Sequence, residues 1–182
     1  MSTRVLFTDL DGTLLNDAKE VTPGNQAAID EALAKGHKIV VCTGRPLASA
    51  RACAAKAGRD KEGCYVICFN GGQIYDPYHE KTVYGKTFPR EIAVEIINEA
   101  LKRDLHIQGY NDTKILCVRE TEELKQYAAA NRLPYKIVAS AEEVVPKDPY
   151  KLIALTTSEE REKNLKFQRE VIAPLAGKVQ SF

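Results

Sequence analysis

Three short apolar runs, each followed by small and polar residues, constrain the fold of this chain more than any other feature. They are RVLFTD at 4–9, HKIVVCT at 37–43 and CYVICF at 64–69. Each run has the length of a strand and contains β-branched or aromatic residues, which indicates a buried strand. Two longer segments separate the runs. An alternation of strand and helix with short connections is typical of a parallel α/β sheet.

The two segments between these runs have the features of helices. In the first, Thr22-Pro23 predicts an N-cap followed by the first helical residue, and Gly36 predicts the end of the helix. The second is an alanine-rich segment at 47–57 that ends before Gly58. The first 70 or so residues are therefore predicted to fold as strand, helix, strand, helix, strand.

The pattern changes after about residue 75, where shorter and more polar segments follow. Asp76-Pro77 predicts the turn of a β-hairpin, and residues 89–104 predict an amphipathic helix. The apolar face of that helix is predicted to consist of Ile92, Ile96, Ile97, Ala100 and Leu101. Further strands are predicted at 106–110, 114–119, 135–139 and 151–156, further helices at 121–132 and 158–173, and the start of a last strand at 179–182. We therefore expect two domains, an α/β core over residues 1–80 and an α+β unit over residues 81–182.

Composition and charge limit the classes of protein to which the chain can belong. With 26 Lys and Arg against 25 Asp and Glu, the formal net charge is +1, which provides no basic field for nucleic acid. No apolar stretch approaches the roughly 18–20 residues of a membrane helix, and the N-terminus lacks the apolar core of a signal peptide. The five cysteines show no metal-ligand pairing, so we expect reduced, mostly buried thiols in a cytoplasmic protein.

Polar side chains follow each of the three apolar runs at the point where the strand ends. The segments are Asp9-Leu10-Asp11-Gly12, Thr43-Gly44-Arg45 and Asn70-Gly71-Gly72. Because ligands bind at the carboxyl ends of parallel strands, we expect all three segments to contribute to one site. Two carboxylates suit Mg²⁺, or one can attack phosphorus while the other moves a proton. A hydroxyl, a backbone N–H and a cation at the start of a helix suit an anion.

Each of these segments also has a simpler interpretation. An Asp-x-Asp-Gly sequence is a common turn, Thr43-Gly44 can be a plain strand-to-helix turn, and Asn70-Gly71-Gly72 can be a loop that tolerates positive φ. A calcium-binding EF-hand starting at Asp9 is rejected because its sixth position is Leu14 instead of glycine. The histidines are predicted to have surface or structural roles; they are His37, His79 and His106. Tyr75, Tyr78 and Tyr84 are predicted to pack in the hairpin, the alternative being a platform for the substrate.

The three segments together resemble a known family. LFTDLDGTLLN at 6–16 resembles the first motif of the haloacid dehalogenase (HAD) superfamily of phosphatases, and VVCTGRP at 40–46 resembles the second. YVICFNGG at 65–72 is similar to the strand and Asn-Gly segment of the Cof-type, or IIB, branch. The resemblance implies a partial Rossmann-like HAD core with a parallel sheet and an inserted α+β type-2 cap. It also implies a Mg²⁺-dependent phosphatase acting on small phosphorylated metabolites, often sugar phosphates, with no nucleic-acid or membrane partner.

The resemblance also assigns roles to individual residues. It implies that Asp9 is the nucleophile, that Asp11 is the general acid and base, and that Mg²⁺ is held by the Asp9 carboxylate and the Asp11 backbone carbonyl. The phosphoryl oxygens would be bound by the backbone N–H groups of Leu10 and Gly44, the Thr43 hydroxyl, and the side chains of Arg45 and Asn70. The cap would close over the site and select the substrate.

Two motifs of the family have no counterpart in this chain. They are a lysine that neutralises the nucleophile and phosphate, and an acidic segment that completes the Mg²⁺ site; Lys147, Lys151 and Lys178 are all predicted to be cap residues. We therefore expect a fragment of a longer protein with an exposed apolar sheet edge beside the first strand, the alternative being a natural truncation with an impaired site. The functional alternatives are a module that binds a phosphorylated ligand or a partner, and a phosphomutase-type phosphotransferase.

Overall fold

The computed structural model describes residues 2–18, 20–56, 58–157 and 160–181. The chain divides into two units, Met1–Lys86 and Thr87–Phe182. The sequence pattern puts the boundary after residue 80, whereas in the structure the next strand still pairs with the sheet of the first unit. Each unit has its own sheet.

The first unit contains a five-stranded sheet in which the strands lie in the order of the sequence. The strands are β1 (Val5–Asp9), β2 (Lys38–Cys42), β3 (Cys64–Cys68), β4 (Gln73–Asp76) and β5 (Lys81–Gly85), and the helices are α1 (Pro23–Ala34) and α2 (Leu47–Lys56). Strands β1, β2 and β3 are parallel, and β3, β4 and β5 are antiparallel. The predicted alternation of strand and helix and the predicted hairpin are both confirmed.

The ends of α1 are set by the residues that the sequence singles out. The Thr22 side chain accepts a hydrogen bond from the Asn25 backbone N–H, and Pro23 occupies the first helical position, where its missing N–H costs nothing. Beyond the last turn Gly36 has a φ of +77°, which glycine adopts without strain. The chain can therefore leave the helix and enter β2 within a few residues.

The buried cluster of the first unit packs α1 against the sheet. Because the crossovers from β1 to β2 and from β2 to β3 run in the same direction, right-handed connections put α1 and α2 on the same face. The buried cluster consists of Leu10, Leu14, Leu15, Ile29, Ile39, Val41 and Cys64. It joins α1 to the centre of the sheet and to the loop that follows β1.

Strand β1 lies at the edge of this sheet and differs from its prediction in burial. In the part of the chain that the structure describes, it pairs with β2 alone. Val5, Leu6 and Phe7 are 49%, 52% and 61% exposed. The prediction of a buried strand is therefore wrong for β1, because the side chains of an apolar strand are buried only where other elements cover the faces of the sheet. The expected exposed apolar edge is present.

The second unit is built on a four-stranded sheet with four α-helices among its described residues. Its strands are β6 (His106–Tyr110), β7 (Ile115–Cys117), β8 (Tyr135–Ile137) and β9 (Ile153–Leu155), and its helices are α3 (Arg90–Lys102), α4 (Glu122–Asn131), α5 (Ala141–Val144) and α6 (Arg161–Phe167). The strands lie in the order β8-β7-β6-β9. Strand β6 is antiparallel to β7 and β9, and β7 is parallel to β8. The predicted apolar face of α3 is confirmed, since Ile96, Ile97 and Ala100 are buried in the core.

Three parts of the second unit differ from their predictions. Helix α5 has only four residues, too few to show a helical period in the sequence. The polar helix predicted at 158–173 begins as α6 and continues through one π-helical turn, Gln168–Ile172, and one 3-10 turn, Ala173–Leu175; residues 158 and 159 lie outside the described residues. The strand predicted at 179–182 is wrong for residues 179–181, where only Val179 forms an isolated bridge, to Ala176; Phe182 is outside the described residues.

The burial of the cysteines and the character of the helices are two further features of the structure. All five cysteines are free thiols; Cys64, Cys68 and Cys117 are buried, and Cys42 and Cys53 are partly buried. In the described ranges, no helix combines the length and the apolar character needed to cross a bilayer.

Candidate active site

The loop that follows β1 presents two carboxylates on either side of a buried leucine. Leu10 is fully buried, whereas Asp9 and Asp11 are exposed. The Asp9 carbonyl accepts a hydrogen bond from the Leu14 N–H at 3.2 Å, and the Leu10 carbonyl accepts one from the Leu15 N–H at 2.9 Å. The loop therefore doubles back at the carboxyl end of β1 and is anchored in the core by Leu10.

The turn after β2 places a hydroxyl and a guanidinium next to this loop. The Thr43 N–H donates to the Ile67 carbonyl at 2.9 Å, which extends the pairing of β2 with β3. The Thr43 hydroxyl oxygen accepts from the Arg45 N–H at 3.2 Å, and this turn leads into α2. Because the oxygen acts as the acceptor in that bond, the hydroxyl proton can be donated to another group.

The side chain of Arg45 forms a two-pronged ion pair with Asp11. Its Nε lies 2.9 Å from Asp11 Oδ2, and its Nη2 lies 2.9 Å from Asp11 Oδ1. The remaining nitrogen, Nη1, donates to Ser49 Oγ at 3.1 Å and to Cys53 Sγ at 3.4 Å. The Arg45 side chain is 15% exposed and that of Asp11 39%, so the pair is partly withdrawn from water. The expectation for Arg45 was a phosphate contact, and the structure gives it a carboxylate partner.

Ser49 and Cys53 are the residues near the site that the sequence reasoning missed. They lie four and eight residues after Arg45, which is the spacing of one face of a helix. That spacing is the signal in the sequence that could have identified them. Ser49 is also nearly fully buried, and Arg45 Nη1 is a hydrogen-bond partner for its hydroxyl.

The segment after β3 lies against the turn that follows β2. Asn70 has φ 57° and ψ 36°, a left-handed conformation that asparagine tolerates better than most residues. Its N–H donates to the Thr43 carbonyl at 3.4 Å, and the Phe69 N–H donates to the Arg45 carbonyl at 3.0 Å. A Cβ added to Gly44 would lie 3.1 Å from Asn70 Oδ1, so a side chain there would require the Asn70 amide to shift. The expected positive φ in this loop is present.

Asp9 is exposed at the carboxyl end of β1, the edge of the sheet at which ligands bind in open α/β folds. It pairs in register with Cys42 at the end of β2. Burial, with a smaller contribution from the Asp9 carboxylate, raises the pKa of the Cys42 thiol.

The described residues form no cluster of three or more His, Cys, Asp or Glu that could hold a metal ion. The Asp9 carboxylate and the Asp11 backbone carbonyl are oxygen donors, the kind of ligand that a hard cation prefers.

The histidines make their hydrogen bonds within their own units. His79 contacts Asp76 at 2.8 Å in the hairpin turn, and His106 contacts Gln108 and Thr121 in the second unit. Tyr75 is buried beneath the guanidinium of Arg51, 4.9 Å from its ring centre. These contacts agree with the structural roles predicted for His79, His106 and Tyr75. Tyr78 and Tyr84 are 53% and 48% exposed, so the packing predicted for them is not confirmed. Lys147, Lys151 and Lys178 all belong to the second unit.

The comparisons with known proteins agree with this fold. A solved haloacid dehalogenase-like hydrolase from Bacteroides thetaiotaomicron has a TM-score of 0.88 and 21% identity, and the match covers 100% of this chain and 67% of that one. The HAD subclass IIB sugar phosphatase BT4131 has a TM-score of 0.72 and 22% identity, with 93% and 64% of the two chains covered. At these identities the likeness concerns the fold alone.

Similarity in sequence identifies the family to which the chain belongs. Pyridoxal phosphate phosphatase YbhA of Escherichia coli (strain K12) is 33% identical over 113 residues, which are 62% of this chain and 40% of that protein. The chain thus spans less than half of that relative and about two thirds of the solved structures. A model of the haloacid dehalogenase-like hydrolases matches residues 6–179. Because that match takes in nearly the whole chain, the chain belongs to the haloacid dehalogenase-like hydrolase family.

Proposed function

We propose that this chain forms the nucleophile-bearing part of a Mg²⁺-dependent phosphatase for small phosphorylated metabolites. The observation that supports the proposal most directly is the ion pair of Asp11 with Arg45 beside the Thr43 hydroxyl, at the strand ends where Asp9 is exposed. These groups suit phosphoryl transfer, because its transition state is stabilised mainly by position and by charge. The family match and the phosphatase relative support the same reaction.

In the proposed reaction Asp9 is the nucleophile and Asp11 moves the proton. A carboxylate oxygen of Asp9 forms a bond to phosphorus, and the bond from phosphorus to the ester oxygen breaks. Asp11 donates a proton to the departing alcohol oxygen, which leaves Asp11 ionised. It then takes a proton from the water that attacks the aspartyl-phosphate, so that phosphate is released and Asp9 is regenerated. The exposure of both carboxylates leaves room for the ester and the water.

The phosphoryl oxygens would be bound by groups from all three segments. The backbone N–H groups of Leu10 and Gly44 and the Thr43 hydroxyl are the proposed donors, with Arg45 and Asn70 as charged and amide partners. Mg²⁺ held by the Asp9 carboxylate and the Asp11 carbonyl would neutralise charge on the phosphate. The narrower class that we propose for the substrate is the sugar phosphates, by analogy with the sugar phosphatase whose fold the chain shares.

Removal of the nucleophile tests this proposal. The purified protein with Mg²⁺ is expected to release phosphate from a panel of sugar phosphates and pyridoxal phosphate, and Asp9→Asn should lower kcat by roughly 10³-fold or more. Asp17→Asn removes an exposed carboxylate eight residues further along the chain and is the matched control, with activity unchanged. Undiminished activity of Asp9→Asn would contradict the proposal. Saturable binding of a phosphorylated compound without turnover would favour the alternative of a binding module.

A further inference from the structure

The Arg45 guanidinium is held from two sides by groups with different chemistry. One edge of its plane, Nε and Nη2, meets both oxygens of Asp11. The opposite nitrogen, Nη1, meets Ser49 Oγ and Cys53 Sγ, which come from successive turns of α2. Because a guanidinium is planar and rigid, contacts on both sides fix its orientation. The fork formed by Nε and Nη2 in turn fixes the Asp11 carboxylate.

We propose that Arg45 is a positioning residue for Asp11, and that Ser49 and Cys53 act through Arg45. This inference rests on the proposed function and adds to it, since Arg45 otherwise figures only as one of several phosphate contacts. Its role is to hold Asp11 in one plane at the edge of the site and to stabilise the ionised carboxylate that remains once Asp11 has given its proton to the oxygen of the departing alcohol. Alignment of a reacting group by an arginine clamp is a recognised source of rate enhancement.

The contacts favour positioning over phosphate binding alone. Helix α2 supplies both of the groups behind Arg45, and Ser49 is almost completely buried, so this support does not depend on a ligand. Thr43 fixes the backbone of Arg45 through the hydrogen bond from the Arg45 N–H. The main chain and the side chain of Arg45 are therefore both held in position by hydrogen bonds within the protein, without a bound phosphate. A residue that only attracted phosphate by its charge would need neither constraint.

Two esters of similar size separate these two roles. The leaving group of p-nitrophenyl phosphate departs as a stable anion and needs little help from an acid, whereas that of phenyl phosphate is a poorer leaving group and needs a proton. Loss of a phosphate contact lowers kcat/KM equally for both esters. Loss of Asp11 alignment lowers it more for phenyl phosphate. The ratio of the two kcat/KM values therefore reports on the alignment of Asp11, independently of phosphate affinity.

Arg45→Lys is the most informative variant, because lysine keeps the charge that attracts phosphate but cannot form the fork. The ratio of kcat/KM for phenyl phosphate to that for p-nitrophenyl phosphate should fall about tenfold in Arg45→Lys, within the range of acid catalysis. Ser49→Ala does not alter a group that touches the substrate, and it should lower the same ratio by roughly threefold, as for one lost hydrogen bond. Arg51→Lys changes an arginine of the same helix that pairs with Glu80, and the ratio should stay unchanged.

A second measurement does not depend on turnover. In ¹⁵N NMR spectra of the protein, the Arg45 Nε–H signal should exchange slowly with water, and Asp11→Asn should shift it and speed its exchange. Ser49→Ala should do so to a smaller degree. An Arg45 signal that Asp11→Asn leaves unchanged would overturn the proposed contact.

The outcomes distinguish this inference from the function on which it rests. Turnover that is lost in Asp9→Asn, combined with equal losses for both esters in Arg45→Lys, would overturn the positioning role and leave the phosphatase reaction standing. No turnover of either ester by the unaltered protein with Mg²⁺ would overturn both. Circular dichroism of each variant shows whether it is folded, and Ser49→Ala provides the same test if Arg45→Lys unfolds.

Discussion

Leu10 connects the stability of the first unit to its two carboxylates, and its truncation is the most direct test of that connection. Its side chain is 0% exposed and lies in the cluster with Leu14, Leu15 and Ile29. Leu10→Ala removes three buried carbons, which costs about 2.4 kcal/mol at roughly 0.8 kcal/mol each. The cavity left behind adds about 1 kcal/mol where the neighbours relax only in part. We therefore expect the free energy of unfolding to fall by about 3.5 kcal/mol.

Leu6 provides a matched control in the same segment. Its side chain is 52% exposed, so Leu6→Ala loses about half of the transfer free energy and leaves no cavity, a cost of about 1 kcal/mol. The measurement is urea unfolding followed by far-UV circular dichroism, with midpoints and slopes compared between the two variants. The slope matters because two units that unfold separately broaden the transition.

The same pair of variants tests whether burial of Leu10 matters for the site. Because the Leu10 carbonyl and the Asp9 carbonyl both accept hydrogen bonds within the loop, a loosened Leu10 disturbs both carboxylates. Phosphatase activity of Leu10→Ala, measured where the variant remains folded, should fall by about tenfold, since small misplacements of reacting groups are costly. Equal destabilisation by the two leucine variants would refute the reasoning from burial.

Three further predictions follow from single contacts. Gly44→Ala should push Asn70 aside and raise KM for phosphate esters several-fold, whereas Gly24→Ala, whose added Cβ meets nothing within 4 Å, should leave KM unchanged in the same assay. Burial lowers the pKa of His106, so below its ordinary value of about 6.5 the unfolded chain takes up a proton that the folded chain resists. Urea unfolding should therefore show stability falling from pH 7 to pH 5.5, and His106→Gln should reduce that fall. Among the thiols, Cys53 should react with a disulfide reagent before the three buried cysteines, as mass spectrometry of partly labelled protein would show.

The thiol prediction follows from the environment of each cysteine. Burial raises the pKa of Cys68 to about 12 and that of Cys117 to about 11, so both stay protonated and unreactive at neutral pH. Modification of Cys68 at the rate of Cys53 would contradict the buried position of β3.

Much of the first unit could be predicted because its signals are local. Thr22-Pro23 marks the start of α1 by cap chemistry, which depends on neighbours only three residues away. The positive φ of Asn70 was likewise foreseeable from an Asn-Gly-Gly sequence. The exposure of Phe7 was not foreseeable from its own run of residues, because the neighbour that a strand has on each side depends on distant parts of a chain.

The candidate site could likewise be predicted only in part from the sequence. That the ends of β1, β2 and β3 meet follows from strand direction alone, so the residues of the cluster could be chosen from the sequence. The partner of Arg45 could not be chosen in this way, since a guanidinium can bind a phosphate, a carboxylate or water with similar geometry. The choice of Asp11 depends on Ser49 and Cys53 behind it, and on a rotamer that no sequence pattern reports.

The strand order of the two sheets has a consequence for folding during synthesis. In the first unit each strand pairs with the strand made just before it, so the sheet can grow by one strand at a time as the chain leaves the ribosome. In the second unit β6 is made first but lies inside the sheet, and one of its sides is paired only when β9 has been made, with His106 facing Leu155 in register. One side of β6 therefore stays open while some forty further residues are synthesised. A nascent chain halted between β8 and β9 should be protease-resistant in its first unit and sensitive in its second.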